Sequence, residues 1–431
     1  MGSSRGGQID VAKPIVVDRS FVSYELSCSS EIRRYFSSRA MFVSYDADVS
    51  LAPSALLLIP LLSSLAPIAW ALGADINLPC IDVRFLRALG EIRQSFRRLY
   101  PDGDWSGEVR ADQIVDTSPS YQGTGNAILF SGGVDSVTSV VLHKEEKPRL
   151  VTVWGADLGL AQHHLWDQVS AANRTFARNK SVEISFIKTN FRTFFNSYRL
   201  NATSPQRFSN WYSGFQQGLG LVGLCAPLSY IAELGSIYIP STHTADFGRP
   251  WGSHPEIDNN VRWGSTKAIH DGYEMSRQTK LQVLAKHIRE EDSRLPLRVC
   301  WGKGANCSRC GKCCITMAGL ALEGLDPNNH GFRFSSGTLP YFRRQLETGR
   351  FQVSDTALWL LMEIQTRSVT RPYRLKVDGV DEFFTWLQSA DVRALKEKSE
   401  HSVSKAVKAL IETTPEPIGR AFRKVMGHPF P

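Results

Sequence analysis

A six-residue string after a short apolar run has the composition of an anion-binding turn. Residues 127–130 are apolar and lead into what we call the 131–136 loop: Ser131, Gly132, Gly133, Val134, Asp135 and Ser136. Glycine lets backbone N–H groups approach a phosphate, the serines add hydroxyl donors, and residues 137–142 predict a helix whose positive N-terminal end faces the same anion. Asp135 would repel a bare phosphate, so we expect it to hold Mg²⁺ or to orient the loop. The alternative is an ordinary glycine-rich turn, but the complete string after a buried strand favours phosphate binding.

Four cysteines near residue 300 have the spacing of a metal site. Cys300, Cys307, Cys310 and Cys313 are separated as C-x6-C-x2-C-x2-C by glycines and polar residues. Four thiolates at such intervals close tetrahedrally on Zn²⁺ and leave no open position for catalysis, so we predict a structural zinc. An Fe–S cluster, a redox-active cysteine pair and disulfides compete with it. The adjacent Cys314 is an alternative ligand and keeps the redox interpretation open.

The 131–136 loop resembles the SGGxDS signature of the PP-loop ATP pyrophosphatases. The resemblance implies that ATP is split between its α and β phosphates to adenylate a carboxylate, with Asp135 and Ser136 in catalytic positions. A carboxylate is a poor electrophile until its oxygen becomes part of a good leaving group, and AMP is such a group. Ammonia or another amine can then displace AMP.

Together, the loop and the cysteines resemble the QueC family, the 7-cyano-7-deazaguanine synthases, over roughly residues 120–325. The resemblance implies adenylation of 7-carboxy-7-deazaguanine, then amide and nitrile formation, with ATP, Mg²⁺ and Zn²⁺ as cofactors. This chain has about 120 residues before the loop and about 100 after the cysteines. In this it is similar to enlarged QueC-like proteins of bacterial antiphage operons of the Qat and type IV CBASS kinds. That similarity implies a partner protein from the same operon, whose amine could accept the activated base.

A polar stretch between the last predicted strand and the cysteines is the candidate substrate loop. Residues 240–272 are rich in His, Asp, Ser and Gly and directly follow a buried strand. Such a loop has enough donors and acceptors to recognise a purine-like edge, and we predict contacts from Asp246, His254 and Asp258. An ordinary polar surface loop is the alternative.

Two further groups could complete a nucleotide site. Arg277 and Lys280 begin a predicted amphipathic helix. PP-loop enzymes often place a cation there, which neutralises the departing pyrophosphate. Of these two residues, Lys280 is the one that we predict to be catalytic. A solvated basic helix face is equally consistent with the pattern. Trp154, Gly155 and Asp157 follow the second predicted strand and could frame the adenine, although apolar strand ends pack in every α/β core.

Composition favours a protein of a reducing compartment. Five of the eight cysteines lie between 300 and 314, and the N-terminus lacks the apolar core of a signal peptide, so we expect a cytoplasmic protein. The formal net charge of +8 permits binding to nucleic acid or an acidic partner. The Lys and Arg residues are scattered rather than interleaved with aromatics, which does not favour nucleic-acid recognition.

One uncharged stretch, residues 51–73, is long enough to span a bilayer. It contains Pro53, Pro60 and Pro67 and has acidic rather than basic flanks. These features instead predict a buried helical segment with proline breaks and no membrane span.

The predicted fold class is α/β. Apolar runs at 127–130, 150–154, 182–188 and 236–240 alternate with helix-length segments, which predicts parallel strands with crossover helices and ATP beyond their carboxyl ends. We divide the chain into an N-terminal α+β extension (1–120), a PP-loop domain with a zinc knuckle (121–325) and a helical C-terminal region (326–431). Helices are expected near 352–366, 380–398 and 402–412.

Two other functions remain open from the sequence. PP-loop enzymes also transfer sulfur to tRNA, which requires a reactive cysteine near ATP, and Cys225 is the one stray thiol that could serve. A non-catalytic ATP-binding scaffold is the third hypothesis, and the intact 131–136 loop argues against it. Which carboxylate is activated and which amine accepts it are left open.

Overall fold

A computed structural model describes residues 6–203, 211–291, 294–300, 304–370 and 375–401. It confirms an α/β fold with one twelve-stranded sheet among these residues. The strands are β1 (Gln8–Val11), β2 (Ile15–Val17), β3 (Phe21–Cys28), β4 (Ala40–Tyr45), β5 (Asp75–Asp82), β6 (Val109–Val115), β7 (Gly125–Leu129), β8 (Arg149–Trp154), β9 (Ile184–Thr189), β10 (Leu234–Pro240), β11 (Arg262–Trp263) and β12 (Thr266–Asp271).

Helices cover both faces of the sheet and make up the C-terminal region. They are α1 (Ser30–Arg33), α2 (Ser54–Leu57), α3 (Ile59–Leu72), α4 (Val83–Leu99), α5 (Val134–Leu142), α6 (His163–Asn179), α7 (Ser197–Thr203), α8 (Gln217–Gly223), α9 (Ala226–Ile231), α10 (Pro255–Asp258), α11 (Arg277–Glu291), α12 (Gly311–Leu322), α13 (Thr338–Glu347), α14 (Asp355–Thr370) and α15 (Val380–Ser389). Residues 392–401 are also helical. The predicted helix at 402–412 lies outside the described residues.

The parallel part of the sheet has the order β12-β10-β7-β8-β9. All four predicted strands are present, and their apolar runs are buried between helical layers, as continuous hydrophobic strands of a parallel sheet require. The chain begins this unit at β7, adds β8 and β9 on one side, and then returns to add β10 and β12 on the other. This reversal leaves a crevice beyond the carboxyl ends of β7 and β10, the place where open α/β sheets bind ligands.

The N-terminal strands extend the same sheet. β4 pairs with β9 in antiparallel orientation, with Val43 opposite Thr189, and the order continues as β3-β1-β5-β6. One apolar core includes side chains from both sides of residue 120. Residues 6–120 and the parallel unit therefore share a sheet and a core, and the N-terminal strands cover the β9 edge of the parallel unit.

The uncharged stretch at 51–73 forms α2 and α3, and nearly all of its side chains are buried. The prediction of a buried helical segment is confirmed, with a break at Leu58 just ahead of Pro60 and an end at Gly73 in a left-handed conformation. The expected break at Pro67 is wrong, because Pro67 lies inside α3. Within the described ranges, the helices fall short of the length and apolar character needed to cross a membrane.

Candidate functional site

The 131–136 loop connects β7 to α5 at the carboxyl edge of the sheet. Gly132 has a φ of 76°, a left-handed conformation that glycine adopts without strain, and Gly133 is the N-cap of α5. The Ser131 N–H donates to Ser136 Oγ at 3.3 Å, and Ser136 Oγ–H donates to Gly133 O at 3.2 Å. The loop thus turns tightly around its two serines and directs the start of α5 into the crevice.

Arg298, just before the cysteines, holds the outside of this loop. Its backbone N–H donates to Gly132 O at 2.7 Å, and its guanidinium donates to Ser131 O at 2.7 Å. Burial lowers the pKa of Arg298. No local sequence pattern marks this residue, because its role depends on a contact across 167 residues.

Asp135 lies in the first turn of α5 and forms a charged cluster with Arg277 and Lys280. Its carboxylate is 2.8 Å from an Arg277 guanidinium nitrogen and 3.4 Å from Lys280 Nζ, and Thr242 Oγ donates to it at 3.2 Å. Burial would raise the pKa of Asp135, but Arg277 and Lys280 outweigh this effect and lower it. Asp135 is therefore held as a carboxylate in the crevice.

Lys280 is enclosed rather than solvated. Only 1% of it is exposed, and its ammonium donates to Ser241 O at the end of β10. Burial lowers the pKa of Lys280, whereas Asp135 opposes that shift. The interpretation of Arg277 and Lys280 as a solvated helix face is therefore wrong. Ser241 and Thr242 were not predicted individually, although their position directly after a buried strand was a usable signal.

Cations outnumber carboxylates around the loop. Arg277, Lys280 and Lys312 lie near Asp135, and Arg298 lies against the loop; the other carboxylates are Asp157, near Arg298 and Lys312, and Asp271, near Lys280. The Nε atoms of Arg277 and Arg298 are buried without a hydrogen-bond partner. Buried charged donors are normally satisfied, so this arrangement fits a bound anion.

Lys312 carries the same cationic character to the cysteine segment. Part of the Lys312 surface is exposed to solvent. Desolvation of its ammonium group and then the neighbouring Arg277 nevertheless lower its pKa to about 8. Lys312 follows Cys310 by two residues and lies near Arg277 and Asp135. The cysteine segment therefore lies beside the charged cluster.

The predicted adenine-framing residues have mainly structural contacts. Trp154 stacks on Trp166 with ring centroids 5.1 Å apart, and Lys188 lies over the Trp154 ring at 4.6 Å. Gly155 has a φ of 106°, and a Cβ there would lie 1.8 Å from Thr189 O. Gly155 therefore allows β8 and β9 to end side by side.

The candidate substrate loop carries an aromatic group beside the charged cluster. His243 stacks on Phe247 with centroids 3.9 Å apart, and Trp251 and Trp359 of α14 meet it edge-on. Burial lowers the pKa of His243 to about 4, so the ring is neutral at pH 7. Asp246 is exposed and accepts a hydrogen bond from Trp359 Nε1 at 3.2 Å.

His254 and Asp258 lie farther along the same stretch, where the prediction of a continuous loop is wrong, because residues 240–272 contain α10, β11 and β12. His254 caps α10 by accepting the Glu256 N–H at 3.2 Å, and its ring lies edge-on to Tyr273. Asp258 is fully buried and pairs with His270 Nδ1 at 2.8 Å. The three predicted substrate residues thus differ: Asp246 is open to solvent, His254 is partly enclosed, and Asp258 faces the interior.

The four predicted cysteine ligands converge. Their Sγ atoms all lie within 4.8 Å of one another, with 3.9 Å between Cys300 and Cys310 and between Cys307 and Cys313. A Zn–S bond of about 2.3 Å in a tetrahedral site places sulfurs about 3.8 Å apart, so the set fits a zinc ion. The hydrogen bond from Cys313 lowers the pKa of Cys310 to about 5, which favours a thiolate there. Cys314 is not part of this group.

Known proteins do not assign a function to this chain. No family model, curated protein or solved structure matches it. The functional assignment therefore depends on the loop, the charged cluster and the cysteine group described above.

Proposed function

We propose that this protein is a QueC-like PP-loop enzyme that uses ATP to adenylate a carboxylate and then joins it to an amine. The observation that carries the proposal is the position of the 131–136 loop. It opens at the reversal of strand order between β7 and β10, where Asp135, Arg277 and Lys280 meet. Glycine, hydroxyl donors and a helix N-terminus there suit a polyphosphate.

The charges of the crevice suit cleavage between the α and β phosphates. Negative charge grows on the departing pyrophosphate, and fixed cations in a crevice with little water stabilise it more than they would in solution. Arg277 and Lys280 are held on Asp135, so they need little reorganisation. Because cations outnumber carboxylates in the crevice, its net positive charge can attract a phosphate.

Magnesium fits one oxygen of Asp135. Oδ2 is engaged by Arg277 and Thr242, whereas Oδ1 has only the longer 3.4 Å contact with Lys280. Oδ1 is therefore the oxygen that would contact Mg²⁺, which would supply charge neutralisation for the phosphates. Arg277 keeps the other oxygen oriented.

The resemblance names 7-carboxy-7-deazaguanine as the carboxylate. The aromatic group around His243, which lies near the charged cluster, and the exposed carboxylate of Asp246 beside Trp359 support a planar heterocycle with N–H donors. Attack of ammonia on the acyl adenylate would release AMP and give an amide. A second ATP would adenylate the amide oxygen, which would leave as AMP with loss of the nitrogen protons to give the nitrile. Attack of a protein amine on the acyl adenylate would release AMP and give a base–protein conjugate. We place this reaction in bacterial antiphage defence by the same resemblance.

Zinc would have a structural role. Four thiolates complete its coordination, and the same segment carries Arg298 against the loop and Lys312 towards the charged cluster. The cysteine group would therefore fix one wall of the crevice.

Sulfur transfer is not favoured by the geometry. Cys225 is completely buried, and burial raises the pKa of its thiol to about 12, so it lacks the exposed thiolate that persulfide chemistry requires. A scaffold without catalysis remains the competing function, and turnover distinguishes the two.

The test is incubation of the full chain with Mg²⁺, ATP and 7-carboxy-7-deazaguanine, with or without ammonium. AMP, pyrophosphate and the mass of the base are followed. We expect AMP formation that depends on the carboxylate and is lost in Asp135→Ala. A base that is activated without release of nitrile would direct attention to a protein amine. AMP formation that is independent of the carboxylate, or absent, would contradict the deazaguanine assignment.

A further inference from the structure

The C-terminal helix α14 meets the start of α11, the helix that carries Arg277 and Lys280. Ser276 is the N-cap of α11: its carbonyl accepts the Lys280 N–H at 2.9 Å, and its Oγ accepts the Thr279 N–H at 3.2 Å. The first turn of a helix leaves further N–H groups without intrahelical partners. In a capping box, a Glu or Gln at the third helical position would satisfy one of these groups. Here that position is Thr279, which has no carboxylate or amide.

Glu363 of α14 supplies the missing carboxylate from a distant part of the chain. It accepts the Gln278 N–H at 3.2 Å and the hydroxyl of Ser276. Arg367, one turn later, pairs with Glu363 at 3.2 Å and donates to Thr279 Oγ at 2.6 Å. Only 13% of the Glu363 side chain is exposed. A carboxylate at this end also interacts favourably with the helix dipole.

We propose that Glu363 is a positioning residue for the candidate nucleotide site, acting through the first turn of α11. Arg277 is the first residue of α11 and Lys280 the fourth. Their contacts with Asp135, at 2.8 and 3.4 Å, therefore depend on the direction of this turn. The C-terminal region is thus part of the site although it supplies no residue to the charged cluster. This inference depends on the proposed ATP binding at that cluster.

A second contact of α14 favours the same conclusion. Thr356 is within 3.1 Å of His243 Nε2, and Trp359 lies edge-on to the same ring. One helix therefore contacts both the loop after β10 and the start of α11, which are the two elements that flank Asp135.

The test compares Glu363→Ala, Glu363→Gln and Glu347→Ala in the full chain. Glu347 makes a 2.8 Å pair with Arg343 on α13, so it controls for the loss of a helical ion pair away from the site. We expect Glu363→Ala to raise the calorimetric Kd for Mg·ATP about fivefold, as the loss of a helix cap would do. Glu363→Gln should have a smaller effect, because its amide oxygen still accepts hydrogen bonds. Glu347→Ala should leave the Kd unchanged.

Hydrogen exchange separates this inference from the proposed function. Glu363→Ala should accelerate amide exchange at residues 276–280, and Glu347→Ala should not. If the wild-type protein fails to bind Mg·ATP but Glu363→Ala still accelerates exchange at 276–280, the proposed function is contradicted and the capping of α11 by Glu363 is supported. Equal Kd values for Glu363→Ala and wild type, or unchanged exchange at 276–280, would overturn the positioning role.

Discussion

Arg277 donates a 2.8 Å hydrogen bond to Asp135 across 142 residues of sequence. This contact ties the first turn of α11 to the first turn of α5 at the crevice between β7 and β10. Because Lys280 also contacts Asp135, one carboxylate balances two cations in a largely buried position. The pair is therefore the structural centre of the proposed nucleotide site.

Removal of the Asp135 charge should strongly reduce activity and destabilise the fold. Asp135→Asn leaves Arg277 and Lys280 without a counter-charge, and breaking a buried pair in this way costs about 3–5 kcal/mol. We expect carboxylate-dependent AMP formation to fall by roughly 10²-fold or more. The exposed Asp112 on β6 gives the matched control, Asp112→Asn, which should retain full activity. Retention of normal activity by Asp135→Asn would remove Asp135 from the mechanism.

Zinc content should depend on the four converging cysteines and not on Cys28 or Cys314. Purified protein is expected to contain about one zinc per chain. Cys310→Ser should lose the metal and unfold at lower temperature, because metal binding is coupled to folding of such a segment. Elemental analysis and thermal melts check both effects. Cys28→Ser and Cys314→Ser are controls that should keep the zinc. An iron signal or visible absorbance would instead indicate an Fe–S cluster.

Stability should fall between pH 7 and pH 4 partly because of His243. Burial lowers its pKa to about 4, below the unfolded value of about 6.5, so the unfolded chain binds its proton first. The contribution of neutral His243 to the free energy of unfolding is complete above the unfolded pKa. It is lost as pH falls towards 4, and the total loss is about 3 kcal/mol. His243→Phe keeps an aromatic ring against Phe247 but cannot titrate. Denaturant unfolding at pH 5 and pH 7 should give a smaller difference for this variant, and an equal difference would contradict the assignment.

Two glycine-to-alanine substitutions should have opposite effects on stability. Gly132 has a φ of 76°, where an alanine costs about 1 kcal/mol or more. Gly90 is exposed in α4, and nothing lies within 4 Å of an added Cβ. Gly90→Ala should therefore increase the free energy of unfolding by about 1 kcal/mol. Chemical denaturation measures both changes, and stabilisation by Gly132→Ala would show that the left-handed conformation is not required.

Local sequence was sufficient for four of the five strands of the parallel unit, whereas β12 lies in the stretch predicted to be a polar loop. The apolar runs at 127–130, 150–154, 182–188 and 236–240 correspond to β7, β8, β9 and β10, because a strand buried on both faces needs a continuous hydrophobic segment. The same reasoning identified the glycine turn at the end of β7. The cysteine set was predictable because metal-site spacing is a local property.

The N-terminal segment shows where local sequence was not enough. An α+β extension was predicted there, but the addition of its strands to the parallel unit depends on the pairing of β4 with β9. Strand pairing over such a distance is decided by the packing of both faces of the sheet, which no window of sequence contains.

Sequence by itself determined the chemistry available in this protein: a glycine-serine turn that suits phosphate, four thiolates that suit zinc, and cations at the start of a helix. Tertiary structure alone decided which of these groups meet. It placed Arg277 and Lys280 on Asp135, set Arg298 against the 131–136 loop, and enclosed Asp258. It also brought Glu363 to the N-terminus of α11, a cap that local sequence lacks. The physical reason is that hydrogen bonds and ion pairs depend on distance in space, and the partners of Asp135, Arg298 and Glu363 in other segments are separated from them by 85 to 167 residues.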